Sequence, residues 1–391
     1  MMTKFKPGLL TKIIIAICLG ILFSLFSPLW VVRIFATING IFGNFLGFII
    51  PLLILGLVAP GIADLGKGAG KLLAITAAIA YGSTIVAGFF SYFTTRWSLP
   101  LLINPDETLT GSGIELAENI GAFFSIEMPP LMGVTTSLVL AFVIGLGVSA
   151  VNGQKLRSAL WEFRDIIIVI IKDVIIPLLP LYIFGIFLKI GAEGQVSSVL
   201  SLFFKIILVI FAMHIILLLV QFILAGIISG KNPLKALITM LPAYVTALGT
   251  QSSAATIPVT LAQAKKNGVD DEIADFVIPL CATIHLSGSM LKIVSCAFAV
   301  MYMSGMNTGF DLFAGFIMML GITMVAAPGV PGGAIMAAVA LLQSMLGFDQ
   351  TLTGLMIALY ITMDSFGTAC NVTGDGAIAL VLNKIYKKQV R

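Results

Sequence analysis

The sequence has few charged residues: Asp, Glu, Lys and Arg make up 10% of its 391 residues, against about 25% in a soluble globular domain. Hydrophobic residues make up 59% of the chain, so we expect an all-α integral membrane protein rather than a soluble one. Two histidines and four cysteines, none in a CxxC spacing, argue against a metal cluster or a disulfide scaffold. A net charge of +4 is too small to indicate nucleic-acid binding.

Long apolar runs dominate the first 230 residues and predict six spanning helices joined by short polar links. They lie at about 10–32, 38–63, 71–94, 128–151, 166–191 and 197–229. The first run continues too far for the apolar region of a signal peptide, so we expect it to be retained.

The distribution of Lys and Arg predicts the orientation, because these residues are enriched in cytoplasmic loops. With the N-terminus inside, most basic residues fall in cytoplasmic links and in the tail that follows Lys384, whereas Arg33 and Arg96 fall in outer loops. We therefore expect a multi-pass protein with both termini cytoplasmic. Short loops and the absence of organelle-targeting features favour a bacterial inner membrane.

The second half of the chain does not divide into simple spans. Residues of about 232–266 form two short apolar arms around a hydroxyl-rich tip, which predicts a re-entrant hairpin. A single kinked helix is the alternative. A span at 273–303 is interrupted in its middle, and residues 310–347 repeat the hairpin pattern around a Gly/Pro-rich tip. Two interrupted units of this kind are typical of inverted-repeat transporters with a binding site near the midplane.

The last apolar segment, about 352–382, carries two acidic residues in what we expect to be one spanning helix. Asp364 and Asp375 are separated by about three helical turns and so share a face, with Gly367, Thr368 and Asn371 on or beside it. Carboxylates at membrane depth are costly, which indicates a site for a cation, a proton or an ammonium group. The alternative is that both acids pair with buried bases inside the helix bundle.

Three motifs together resemble the dicarboxylate/amino acid:cation symporters, the glutamate-transporter family, and in particular its neutral amino acid branch. They are Ser252-Ser-Ala-Ala-Thr-Ile-Pro258, Gly329-Val-Pro-Gly-Gly333 and Asn371-Val-Thr-Gly-Asp375. The resemblance implies eight transmembrane helices plus two re-entrant hairpins, a homotrimer in the membrane, and an elevator mechanism.

The resemblance also implies a domain division. Residues 1–65 would hold scaffold helices 1 and 2, and residues 97–192 scaffold helices 4 and 5. Residues 66–96 would form transport-domain helix 3. The rest of the transport domain would span 193–391, with helix 6, hairpin 1 at about 232–266, a broken helix 7, hairpin 2 at about 310–347 and helix 8.

Site residues are likewise implied by resemblance. Asp364 would hold a substrate ammonium, and the hairpin tips would receive the α-carboxylate. The implied substrate-binding residues are Ser252, Ser253, Ser289, Val330, Pro331, Gly332, Gly333, Asp364, Gly367, Thr368 and Asn371. The implied sodium ligands, partly through backbone carbonyls, are Asp375, Asn371, Cys281 and His285. Sodium would act as a coupling ion, and no cofactor is expected.

Two departures from the family pattern bear on substrate and coupling. Family members that take aspartate or glutamate carry an arginine where this chain has Gly367, so we expect a small neutral substrate such as serine, threonine or alanine. Ser287 replaces an aspartate of a further sodium site, which predicts fewer sodium ions per cycle. His285 is a candidate for proton coupling, and we expect Lys292 to be a structural partner or a snorkelling residue.

The sequence thus predicts a secondary active transporter, not an enzyme, that couples sodium to small neutral amino acids. Three alternatives within transport remain: proton coupling, cation-independent exchange, and symport of dicarboxylates or acidic amino acids. A channel or an intramembrane enzyme is the remote alternative, because the polar residues concentrate at one depth and no nucleophile has a recognisable base.

Overall fold

A computed structural model describes residues 8–65, 71–102, 120–151, 153–325, 327 and 331–390. Over this part of the chain the protein is helical, with no β-strand. In chain order the helices are α1 Leu9–Ser24, α2 Leu29–Leu65, α3 Lys71–Leu102, α4 Val134–Val151, α5 Gln154–Val169, α6 Ile176–Ala192, α7 Val196–Ser229, α8 Pro233–Thr250, α9 Ser253–Lys266, α10 Asp271–Ile284, α11 Ser287–Met303, α12 Phe310–Met324, α13 Gly333–Leu346, α14 Gln350–Thr362 and α15 Asp364–Val390. A π-helical turn, Ile170–Ile175, joins α5 to α6.

Several helices are long and apolar enough to cross a membrane, which confirms the predicted fold class. Five described spans meet this criterion: Leu29–Ala63, Leu72–Leu102, Gln154–Ala192, Val196–Ser229 and Asp271–Met303. A sixth is added if α14 and α15 count as one bent span. The protein is therefore an all-α integral membrane protein, while the count of eight spans rests on the family resemblance.

The interrupted elements of the second half form as predicted. α8 and α9 pack against each other, which excludes the alternative of one kinked helix over residues 232–266. Gln251 ends α8 and makes the turn to α9 with a positive φ of 53°, which among the described residues no other non-glycine residue has. α10 and α11 are separated at His285 and Leu286, and α12 and α13 pack as the second hairpin.

Three expectations about boundaries are wrong. The first two helices are divided at residues 25–28, because Pro28 disfavours helix in the residue before it and its carbonyl starts the next helix by accepting the Val31 N–H. Arg33 therefore lies within α2 and not in a loop. Arg96 similarly lies within α3, which continues to Leu102.

The third correction concerns the last segment, which is not one helix. The chain bends by 58° between α14 and α15. Met363, which lies between them, departs from helical geometry with φ −116° and ψ 11°. The Met363 carbonyl becomes the first acceptor of the next helix, because it receives the N–H groups of Phe366 at 3.1 Å and Gly367 at 3.2 Å. Asp364 becomes the first residue of α15, so it lies at a helix N-terminus and not in the middle of a helix.

Packing places α11 at the centre of the second half of the chain. All of its residues except Tyr302 are buried, and it contacts α3, α7, α14 and α15. α1, α2, α4, α5 and α6 pack largely on one another. This arrangement is compatible with the predicted scaffold and transport domains, which stay a prediction.

Candidate substrate and cation site

The breaks in α10–α11, in α14–α15 and at the tip of the second hairpin meet at one place inside the protein. The N-terminus of α11 lies against α15, because a Cβ on Gly288 would stand 2.7 Å from the Gly367 carbonyl oxygen. The Gly332 N–H at the second hairpin donates to Asp364 Oδ2 at 2.7 Å. The three breaks thus lie together around Asp364 and Asn371, whose side chains accept the amides of Gly332 and Gly288, and buried irregular backbone requires such polar partners.

Asp364 is buried and already has a cationic partner. Its side chain is 6% exposed, and its Oδ1 accepts a hydrogen bond from the Lys292 ammonium at 3.3 Å. Lys292 is fully buried on α11, so the expectation that it snorkels to the surface is wrong, whereas the expectation of a structural partner fits. The alternative that buried acids pair with buried bases therefore describes Asp364 in this structure.

Lys292 has two further partners at the α14–α15 break. Its ammonium donates to the Met363 carbonyl at 3.2 Å and lies 3.6 Å from the centroid of the Tyr360 ring. A cation over an aromatic face is stabilised by the ring quadrupole. The Met363 carbonyl also accepts the Phe366 and Gly367 N–H groups, so the lysine adds a further hydrogen bond to it, independently of the carboxylate.

Gly367 provides the space for this lysine. A Cβ at position 367 would lie 2.8 Å from the Lys292 Nζ, closer than side-chain atoms approach. Gly367 stands where family members that take aspartate or glutamate carry an arginine. In this structure the ammonium of Lys292, from another helix, lies beside that glycine. Lys292 was missed as a site residue, although a lone lysine inside the 273–303 span was a signal for it.

Asn371 and Ser289 connect the broken helix to α15. Asn371 Oδ1 accepts the N–H groups of Gly288 at 2.8 Å and Ser289 at 3.3 Å, and its Nδ2 donates to Ser289 Oγ at 3.1 Å. Both side chains are buried. Asn371 therefore satisfies the exposed amides at the start of α11. Thr368 lies one turn after Asp364 and donates to its backbone carbonyl at 3.0 Å.

Asp375 forms a second buried cluster with His285. The two side chains approach at 2.9 Å, between His285 Nδ1 and Asp375 Oδ1, and both are essentially inaccessible to solvent. His285 Nε2 lies 3.1 Å from Ser83 Oγ on α3. Gln221 on α7 donates from Nε2 to Ser83 and to Ser287 at 3.1 and 3.2 Å. Sequence reasoning named neither Ser83 nor Gln221, since both lie far away along the chain.

Two oxygens near Asp375 have no hydrogen-bond partner. Asp375 Oδ2 and Gln221 Oε1 are both buried and unsatisfied, and Gln221 Oε1 would lie 2.7 Å from a Cβ at Gly374, the residue before Asp375. Unpartnered buried oxygens are costly, and a carboxylate with an amide carbonyl is a ligand set that suits a hard cation. The donor set therefore fits a sodium ion.

The remaining predicted residues are placed as follows. Ser252 caps α9 by accepting the Ala255 N–H, and Ser253 is buried in its first turn. The Cys281 carbonyl accepts the His285 N–H at 2.8 Å. Pro331 and Gly333 stand on either side of Gly332, whose φ of 73° favours glycine. Val330 lies outside the described residues.

Comparison with known proteins agrees with this architecture. The model of the sodium:dicarboxylate symporter family matches residues 9–385. Excitatory amino acid transporter 1 of Rattus norvegicus is 30% identical over 358 residues, which cover 82% of this chain and 64% of the relative. The proteins of the same name from Bos taurus and Homo sapiens are 29% and 28% identical with the same coverage. The chain thus spans 64% of the length of these curated relatives. Because the family model covers nearly the whole chain, the protein belongs to the sodium:dicarboxylate symporter family.

Proposed function

We propose that the protein is a secondary active transporter that couples sodium to the uptake of an amino acid. The observation that carries this proposal is Asp364, a buried carboxylate at the junction of two helix breaks and a hairpin tip. A buried carboxylate recognises a substrate ammonium well, because charge-assisted hydrogen bonds are strong where water is excluded.

The hairpin tips are suited to the substrate's α-carboxylate. α13 begins at Gly333 and directs the Gly332 N–H toward Asp364, and α9 begins at Ser253 after the Ser252 cap. Helix N-termini carry partial positive charge and free N–H groups, which favour anions. An amino acid would thus bind with its ammonium at Asp364 and its carboxylate at the tips, with Ser289, Thr368 and Asn371 alongside.

Sodium would bind beside Asp375. Its unpartnered Oδ2 and the unpartnered Gln221 Oε1 supply two oxygens, and backbone carbonyls of Asn371, Cys281 and His285 would complete the coordination. Substrate and ion would then be coupled through α15, because Asn371 lies between the two sites on that helix.

Proton coupling is a second candidate, favoured by the buried contact between His285 and Asp375. An imidazole can gain or lose a proton near neutral pH, and this one contacts the carboxylate of the proposed cation site. A proton on His285 would then replace or accompany sodium in the cycle.

A neutral substrate side chain was expected because no cation was apparent near Gly367, but the Lys292 ammonium lies beside that glycine. Serine-like substrates and acidic amino acids both remain compatible with the proposed transport. The homotrimer, the elevator motion and the cytoplasmic location of both termini belong to the proposal as well.

Uptake by purified protein in proteoliposomes tests the function. We expect labelled amino acid to accumulate under an inward sodium gradient and not when choline replaces sodium. Asp375→Asn should reduce sodium-driven uptake by at least about 10-fold, since it removes the charge at the ion. Asp311→Asn, the same change at an exposed position of α12, is the matched control and should leave uptake unchanged.

A pH gradient in a separate arm distinguishes the two coupling ions. Uptake that follows the pH gradient and ignores sodium would reject sodium coupling and favour the His285 candidate. Absence of uptake under both gradients, for aspartate and serine alike, would reject amino acid transport.

A further inference from the structure

Both oxygens of the Asp364 carboxylate have a partner in this structure. Lys292 donates to one oxygen and the Gly332 N–H to the other. A substrate ammonium at Asp364 would compete with the Lys292 ammonium, because two cations on one buried carboxylate leave a net positive charge. The Lys292 charge must then find another partner, because a buried ammonium without one is unstable.

Lys292 can leave Asp364 without leaving the site. The Met363 carbonyl and the face of the Tyr360 ring hold the ammonium independently of the carboxylate. These two neutral partners keep the lysine in place but do not cancel its charge. During substrate binding the displaced ammonium would thus remain beside Gly367 and need an anion.

The anion that the displaced lysine needs must come with the substrate. Lys292 and Asp364 cancel each other while they are paired. Once a substrate ammonium has taken Asp364, the Lys292 ammonium has no counter-charge, since its other partners, the Met363 carbonyl and the Tyr360 ring, are neutral. The substrate α-carboxylate would lie at the hairpin tips, so a second carboxylate on the substrate side chain balances Lys292 and a zwitterion does not.

We propose that Lys292 is the resident cation of the substrate site. It pairs with Asp364 while the site is empty, and it binds the side-chain carboxylate of an acidic amino acid once the substrate ammonium has taken Asp364. This inference rests on the proposed amino acid transport and names its substrate class. Lys292, on α11, thereby determines the substrate specificity, and the absence of a side chain at Gly367 leaves the space that its ammonium group occupies.

The native protein provides the first test, through calorimetric binding of L-aspartate and its neutral analogue L-asparagine in sodium. We expect aspartate to bind at least about 30-fold more tightly, because leaving one member of a buried charge pair without its partner costs binding of this order. Equal affinity, or tighter binding of asparagine or serine, would overturn the proposal.

Substitution of the lysine gives a sharper test. Lys292→Gln should weaken aspartate binding at least about 30-fold. Asparagine and serine should lose less than about 3-fold or bind more tightly, because Asp364 no longer has to be released. Lys292→Arg should retain the preference for aspartate. Lys235→Gln, at an exposed position of α8, is the matched control and should change neither affinity.

Gly367→Ala tests the same point without removing a charge. Its methyl group would lie 2.8 Å from Lys292 Nζ, so the ammonium must shift, and we expect the preference for aspartate over asparagine to fall while serine still binds. An unchanged preference in both Lys292→Gln and Gly367→Ala would overturn the role of Lys292. If Lys292→Gln does not fold, the wild-type comparison and Gly367→Ala decide the question.

Failure of the inference and failure of the proposed function are distinguishable. Sodium-dependent binding of serine with no preference for aspartate would reject the role of Lys292 and leave amino acid transport standing. Absence of sodium-dependent binding of every amino acid would reject both.

Discussion

The buried pair of Lys292 and Asp364 makes a quantitative prediction about stability that is independent of transport. We consider Lys292→Met, Asp364→Asn and the double variant. The two charged atoms are 3.3 Å apart, with side-chain exposures of 0% and 6%. Removing one partner of such a buried pair leaves an uncompensated charge and costs about 3–5 kcal/mol, whereas removing both is often close to neutral.

The four proteins therefore form a double-mutant cycle with a large coupling energy. Each single variant should lose about 3–5 kcal/mol of unfolding free energy. The double variant should lose less than about 2 kcal/mol, the scale of the lost hydrogen bonds to Met363 and Gly332. The coupling energy is the difference between the stability loss of the double variant and the sum of the two single losses. We expect the double variant to be several kcal/mol more stable than that sum would give.

Reversible unfolding in mixed micelles of SDS and a mild detergent measures these energies without any substrate. Asp311→Asn and Lys235→Gln, the exposed counterparts, should each change stability by less than about 0.5 kcal/mol. Single variants that cost under about 1 kcal/mol, with an additive double variant, would refute the reasoning. The ion pair would then not be the energetic unit that the geometry indicates, and the charge balance drawn from it would fail as well.

Two further substitutions test the packing around the site. Gly288→Ala should destabilise the protein by about 1–3 kcal/mol through overpacking, since its Cβ would lie 2.7 Å from the backbone of α15. Gly82→Ala on α3 is the control, because a Cβ there would have no neighbour within 4 Å. It should leave the stability unchanged or raise it in the same unfolding assay. Gln350→Ala removes hydrogen bonds from the start of α14 to the Gly40 carbonyl and Asn44 on α2. If α14 moves relative to α2 during transport, we expect faster substrate exchange in proteoliposomes, and a slower or unchanged rate would contradict that role.

Local sequence signals were sufficient for most elements of the fold. Long apolar runs identified the spanning helices, and Gly, Pro and hydroxyl-rich tips identified the two hairpins and the break at His285. The errors lie at short interruptions within long apolar runs. Ser27-Pro28 divides the first two helices although apolar residues continue on both sides, and Asp364-Ser365 follows directly after the bend at Met363. One or two such residues are also tolerated inside a spanning helix, so they did not mark a helix end by themselves.

The candidate site was predicted in part. Asp364, Asn371, Ser289 and Asp375 were identified because polar side chains in an apolar segment stand out. The structure places Asp364, Asn371 and Asp375 on α15, and Ser289 contacts Asn371 from α11. Lys292, Gln221 and Ser83 were not identified as site residues. Each lies on a different helix from the residue that it contacts, so no spacing along the chain connects them.

The amino-acid sequence alone determined that the protein is helical, lies in a membrane and carries carboxylates at membrane depth, because these properties follow from hydrophobicity and from helical periodicity along one segment. Only the tertiary structure decided which charges meet. It brought Lys292 from α11 against Asp364 on α15, beside a glycine that leaves room for it. The energy of a buried charge depends on the atoms within a few ångströms of it, and those atoms belong to helices that are distant in sequence.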